Sequence, residues 1–110
     1  MMPRVAIKLN DWYLVWSSIV DAPIACCQED ELPTMIVQFF GAENLERLLA
    51  RLKRTGLSSC VVQNIDSVIS YNRAGPKETT LTRDEIYRAY CLKEKIGDWS
   101  AYRDEEHNPT

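Results

Sequence analysis

With 110 residues, 45 % of them hydrophobic and 26 % charged, the chain has the length for one small core and too much apolar content for disorder. A net charge of −3 and a pI near 5.1 exclude a protein held to nucleic acid or to an anionic membrane by bulk charge, and are too mild for a DNA mimic. The single histidine, His107, sits in the acidic end Asp104–Thr110, which takes the commonest neutral-pH acid/base group out of the folded body.

Residues 4–9 place Val5, Ile7 and Leu9 on one side, the period-two pattern of a strand with one covered face, and Asn10–Asp11 supplies turn chemistry. Residues 12–20 are dense in aromatic and β-branched types and are expected to pair back as an antiparallel hairpin. Trp12, Leu14, Trp16, Ser18 and Val20 fall on one face and Tyr13, Val15, Ser17 and Ile19 on the other. Both faces are apolar enough to want cover, and Asp21–Ala22–Pro23 is read as the end of the strand.

Glu29, Asp30 and Glu31 stand where carboxylates favour the start of a helix, with Pro33 in its first turn and Gly41 as its stop. A second helix is expected from Glu43 to Thr55, with a stripe of Leu45, Leu48, Leu49 and Leu52 and with Gly56 as a left-handed cap. Over 58–72, Cys60–Val62 reads as a short strand. Ile65, Val68 and Ile69 fit either a short helix capped near Asn64 or a hairpin, and the helix is preferred. Residues 73–78 are a loop. Thr82-Arg83-Asp84-Glu85 is a capping box, with Leu81 and Ile86 placed for a hydrophobic staple. The last helix is expected from Arg83 to Ile96, closed by Gly97, with Trp99 and Tyr102 folding back.

The expected fold is therefore α+β: a short antiparallel sheet, an N-terminal hairpin, packed on two to three helices. Residues 1–103 form the folded unit and 104–110 a flexible acidic tail. No apolar run is long enough to span a bilayer, and the opening residues lead into an alternating segment, so a cytoplasmic protein is expected.

The four cysteines at 26, 27, 60 and 91 lack the paired spacing of zinc sites and are read as thiols in a reducing compartment, so no metal or other cofactor is expected. The acids at 29–31 discourage a thiolate at Cys26 or Cys27. Trp12, Tyr13 and Trp16 have the character of a base-stacking platform but lack interleaved basic residues, which favours core packing. Asp11, Asp21 and Asp66 are read as turn and cap residues before any carboxylate pair. The Gly75-Pro76 loop offers backbone amides but not the spacing of a phosphate loop.

Charge supplies the main contact candidate. Residues 1–41 carry Arg4 and Lys8 against Asp11, Asp21, Glu29, Asp30 and Glu31, a balance of −3, whereas 42–57 carry Arg47, Arg51, Lys53 and Arg54 against Glu43 and Glu46, a balance of +2. Arg47, Arg51 and Arg54 repeat along one side of the second helix, with Lys53 nearby, as a solvated face or as a contact surface for phosphates or an acidic protein. The apolar content of the helices also leaves room for a homodimer.

The stretches Trp16–Pro23 and Asn72–Thr79 resemble segments of small phage-encoded accessory proteins without assigned activity. That resemblance implies a phage protein acting inside a bacterium, of a kind that binds and blocks host machines, including CRISPR effectors and other defence complexes. It carries over no functional residue. The expectation from the whole sequence is a stoichiometric binder of a host protein or ribonucleoprotein, without enzymatic activity, and the alternative is a nucleic-acid-binding module using the basic helix.

Overall fold

A strand that is apolar on both faces has to lie inside a sheet and between two layers, and Trp12–Ser17 does both. A computed structural model describes residues 4–59 and 64–95. Three strands, β1 (Arg4–Leu9), β2 (Trp12–Ser17) and β3 (Ala22–Gln28), form an antiparallel sheet in the order β1-β2-β3. Partners run from Arg4 opposite Ser17 to Leu9 opposite Trp12, and from Trp12 opposite Gln28 to Ser17 opposite Ala22. The register shifts between Val15 and Trp16, so Ile24 is an extra residue that bulges the β3 edge.

Alternation then sorts the core into two clusters. Ala6, Tyr13, Val15 and Cys27 face α1 (Leu32–Phe40) and α2 (Leu45–Thr55), which contribute Leu32, Met35, Ile36, Leu48 and Leu52. Ile7, Leu9, Leu14 and Trp16 face α3 (Ile65–Ile69) and α4 (Arg83–Ile86), with Leu57, Ile69, Leu81, Ile86 and Cys91 completing that layer. The α+β class expected from the sequence is shown, with the sheet between two helical layers.

Several local features follow the reading of the residues. Glu29–Glu31 forms a 3-10 turn leading into α1, and Gly41 closes that helix. Gly56 caps α2 at φ 80° and ψ 5°, where a side chain would be strained. Asn64 caps α3 by accepting from the Ser67 N–H, so 65–69 is helix rather than hairpin. Both halves of the Thr82–Glu85 capping box are present.

The structure corrects three expectations. The second strand stops at Ser17 rather than Val20, and Ala22–Gln28, which begins where only a strand end is expected, is a third strand. The second helix starts at Leu45, after a 3-10 turn over Ala42–Asn44. The last helix is shorter than expected: after Ile86 it widens into a π turn, Tyr87–Cys91, and Lys93 at φ 57° turns the chain away. The expected strand at Cys60–Val62, the stop at Gly97, the fold-back of Trp99 and Tyr102, and the tail with His107 lie outside the described residues.

Beyond α2 the chain runs along the free edge of β1. Lys8 N–H donates to Gly56 O at 2.8 Å, Ser58 N–H to Ala6 O at 3.0 Å, and Ala6 N–H to Ser58 Oγ at 2.8 Å. Ile7 bridges Leu57. This clip satisfies the edge of β1 and carries the chain from the first helical layer to the second.

Candidate interaction surface

Four basic residues of α2 are the contact candidates of the sequence, and the structure separates them. At 100° per residue, Arg47, Arg51 and Arg54 fall along one flank of the helix, while Lys53 falls on the other, on the side of Glu46. Arg47 Nη2 donates to Asn44 Oδ1 at 2.7 Å, and half-buried Arg51 donates from Nη1 to Ser58 O at 3.3 Å. Arg51 thus helps hold the β1 clip. Lys53 and Arg54 are exposed and make no hydrogen bond or ion pair among the described residues.

The other candidates resolve into structural roles. Tyr13 and Trp16 are buried on opposite faces of β2 and Trp12 is half-buried, so they form core and not a stacking platform. Cys27 is pushed up to about 11 by burial, then by Glu31, Cys26 and Asp30, and Cys91 to about 12, chiefly by burial. Both thiols are therefore held protonated at neutral pH. Asp66 pairs with Arg83 at 3.7 Å from the first turn of α3. The Gly75 loop spends its amides internally: Gly75 N–H donates to Thr79 O, Glu78 N–H to Gly75 O, and Thr79 N–H to Pro76 O. A Cβ on Gly75 would lie 2.7 Å from Leu81 Cδ2 and from Thr79 Oγ1, so glycine is needed there for close packing. Among the described residues no three His, Cys, Asp or Glu side chains converge as a metal site. No helix among them is long and apolar enough to cross a membrane.

The hairpin end of the sheet is apolar, a feature that no sequence pattern marks. Ser17 ends β2, and its Oγ accepts from Ile19 N–H at 3.2 Å, which turns the chain out of the sheet. Asp21, at φ 53°, completes the connection to β3. Arg73 holds this hairpin end by three contacts: its N–H donates to Asp21 O at 2.8 Å, its Nε lies 3.2 Å from Asp21 Oδ2, and its Nη2 donates to Ile19 O at 3.3 Å.

The neighbouring residue Asn72 anchors the loop from inside. It is 1 % exposed; its Nδ2 donates to Ile69 O and Leu81 O, and its Oδ1 accepts from Leu81 N–H and Ala74 N–H. With the backbone so held, Ile19 is 71 %, Val20 47 % and Tyr71 87 % exposed.

The remaining exposed large apolar side chains among the described residues are Ile24, on the β3 bulge, Val37 and Leu92. The apolar stripes of α1 and α2 are spent on the first layer, where Phe39, Phe40, Leu45 and Leu49 also pack, so Val37 is the one large apolar side chain those helices expose. Two signals hid the hairpin end in the sequence. Ile19 and Val20 continue the alternation of the strand, and nothing about a lone Tyr71 marks it as exposed. The chain matches no protein-family model, no curated protein and no solved structure.

Proposed function

We propose that this chain is a protein-binding module that docks through its hairpin end and acts by covering a surface of its partner. The observation that carries the reading is the exposure of Ile19, Val20 and Tyr71 on backbone pinned by Arg73 and Asn72. Large apolar side chains held out in water cost solvation unless something covers them, and aromatic anchors on preorganised backbone concentrate binding energy. The Asp21–Arg73 pair beside them provides a polar rim. The two stretches that resemble phage accessory proteins, 16–23 and 72–79, meet at this end, which supports a bacterial protein or ribonucleoprotein complex as the partner class and inhibition as the role.

The test is capture by tagged full-length protein from a bacterial lysate, with and without nuclease, beside an Ile19→Asp/Tyr71→Ala variant whose circular dichroism matches that of the parent. Expected is a protein partner that survives nuclease and whose retention falls about 10-fold or more in the variant. Equal capture by parent and variant would refute the hairpin end. A partner lost with nuclease and with Arg47→Glu/Arg54→Glu would move the function to nucleic acid along the α2 flank; that pair leaves Arg51 in place to hold Ser58.

A further inference from the structure

Adjacent residues of a strand point to opposite faces, so Cys26 and Cys27 on β3 serve different layers. Cys27 is buried against α1 and α2, while half-buried Cys26 packs into the layer that holds Cys91. The π turn brings the two elements together. Leu92 N–H reaches back to Tyr87 O and Glu94 N–H to Arg88 O. The Tyr90 carbonyl lies between these closures and accepts the Cys26 thiol at 2.8 Å. Cys91 is the next residue, and its side chain is buried in the layer into which Cys26 packs. Both thiols are free.

We propose that Cys26 and Cys91 form an oxidisable pair that closes to a disulfide joining β3 to the C-terminal helical turn. The oxidant is a low-molecular-mass disulfide. Cys26, the more accessible of the two, loses its proton and attacks one sulfur of that disulfide, which leaves as a small thiolate with the bonding electron pair; a mixed disulfide remains on Cys26. Cys91 then loses its proton and attacks Cys26 Sγ, expelling the second small thiolate. In balance, two protein thiols are oxidised and one small disulfide is reduced to two thiols. Cys91 is buried and resists deprotonation, so the second step is the slow one and waits on local opening of the turn. Cys27 faces the other layer, and a bond to its neighbour Cys26 would strain the peptide link between them.

The experiment is incubation of the full chain with oxidised glutathione at mildly alkaline pH, followed by intact mass, peptide mapping and melting. Expected is a glutathione adduct at Cys26 that gives way to a product lacking two hydrogens, with a linked Cys26–Cys91 peptide. The closed loop spans most of the chain, so the melting temperature rises by about 10 °C. Cys91→Ser is expected to stop at the adduct, and Cys26→Ser to form neither product at these positions. Mapping of the bond to Cys26–Cys27 or to Cys60, or free alkylation of both Cys26 and Cys91 after long exposure, would overturn the proposal. The parent protein alone decides this should either variant fail to fold.

Discussion

Asn72 shows how much one side chain organises. Its amide is fully buried and fully used, joining the end of α3 to the segment before α4 through Ile69 and Leu81, while its own carbonyl accepts the Thr80 hydroxyl. Truncation strands several buried groups at once, and such losses exceed the net worth of the bonds themselves. Asn72→Ala is expected to lower stability by about 3 kcal/mol, read from the urea midpoint, with the Leu81 amide losing hydrogen-exchange protection. Asn72→Asp is expected to be at least as damaging, because a carboxylate cannot donate to the Ile69 and Leu81 carbonyls. Nothing in the sequence marks this residue: asparagine before an Arg-Ala-Gly-Pro run reads as turn chemistry. The capping-box threonine is the opposite case, since its spacing to Glu85 states its partner outright.

Elements were legible where their period was regular. β1, β2, α1 and α2 each repeat one pattern, and the apolar content of both faces of Trp12–Ser17 correctly placed that strand between two layers. β3 was hidden because Pro23, the bulge at Ile24 and the small residues Ala22, Ala25, Cys26 and Cys27 break both the alternation and the β-branched signature. The end of α4 departs from the expected helix for a related reason. A count at 3.6 residues per turn cannot anticipate a π turn, which sets Tyr87, Tyr90 and Cys91 against the sheet together and leaves no helical continuation. Four residues of α helix depend heavily on their start, where Thr82 Oγ1 accepts from Glu85 N–H and Glu85 Oε1 from Thr82 N–H. Thr82→Ala is expected to cost about 1 kcal/mol in a denaturant melt, and Thr82→Ser, which keeps the hydroxyl that accepts from Glu85 N–H, close to nothing. The candidate site was the least legible part, because exposure at Ile19 and Val20 is set by where the hairpin turns and where Arg73 ties it, and Tyr71 is exposed just past the end of α3, neither following from a local pattern.

For the molecule as a whole, the two helical layers and the thiols buried between them set an alkaline limit. Cys27 and Cys91 bind their protons more tightly when folded, at about 11 and about 12, than an exposed thiol near 8.5 does. Their stabilisation is complete below the unfolded value and is lost as pH climbs toward the folded ones, because there the unfolded chain holds fewer protons. Above about pH 9 the urea midpoint is therefore expected to fall, with a slope of up to about 1.4 kcal/mol per pH unit for each thiol, and Cys91→Ala is expected to flatten it. The same arrangement of layers imposes an order on synthesis. Once residue 58 has left the ribosome, the sheet, α1, α2 and the β1 clip are all available, but Ile7, Leu9, Leu14 and Trp16 still face water. Their cover comes from residues 65–91, which take a few seconds more at ordinary elongation rates. During that interval the half-covered strand Trp-Tyr-Leu-Val-Trp-Ser, uncharged and rich in β-forming residues, is an aggregation-prone surface of the nascent chain.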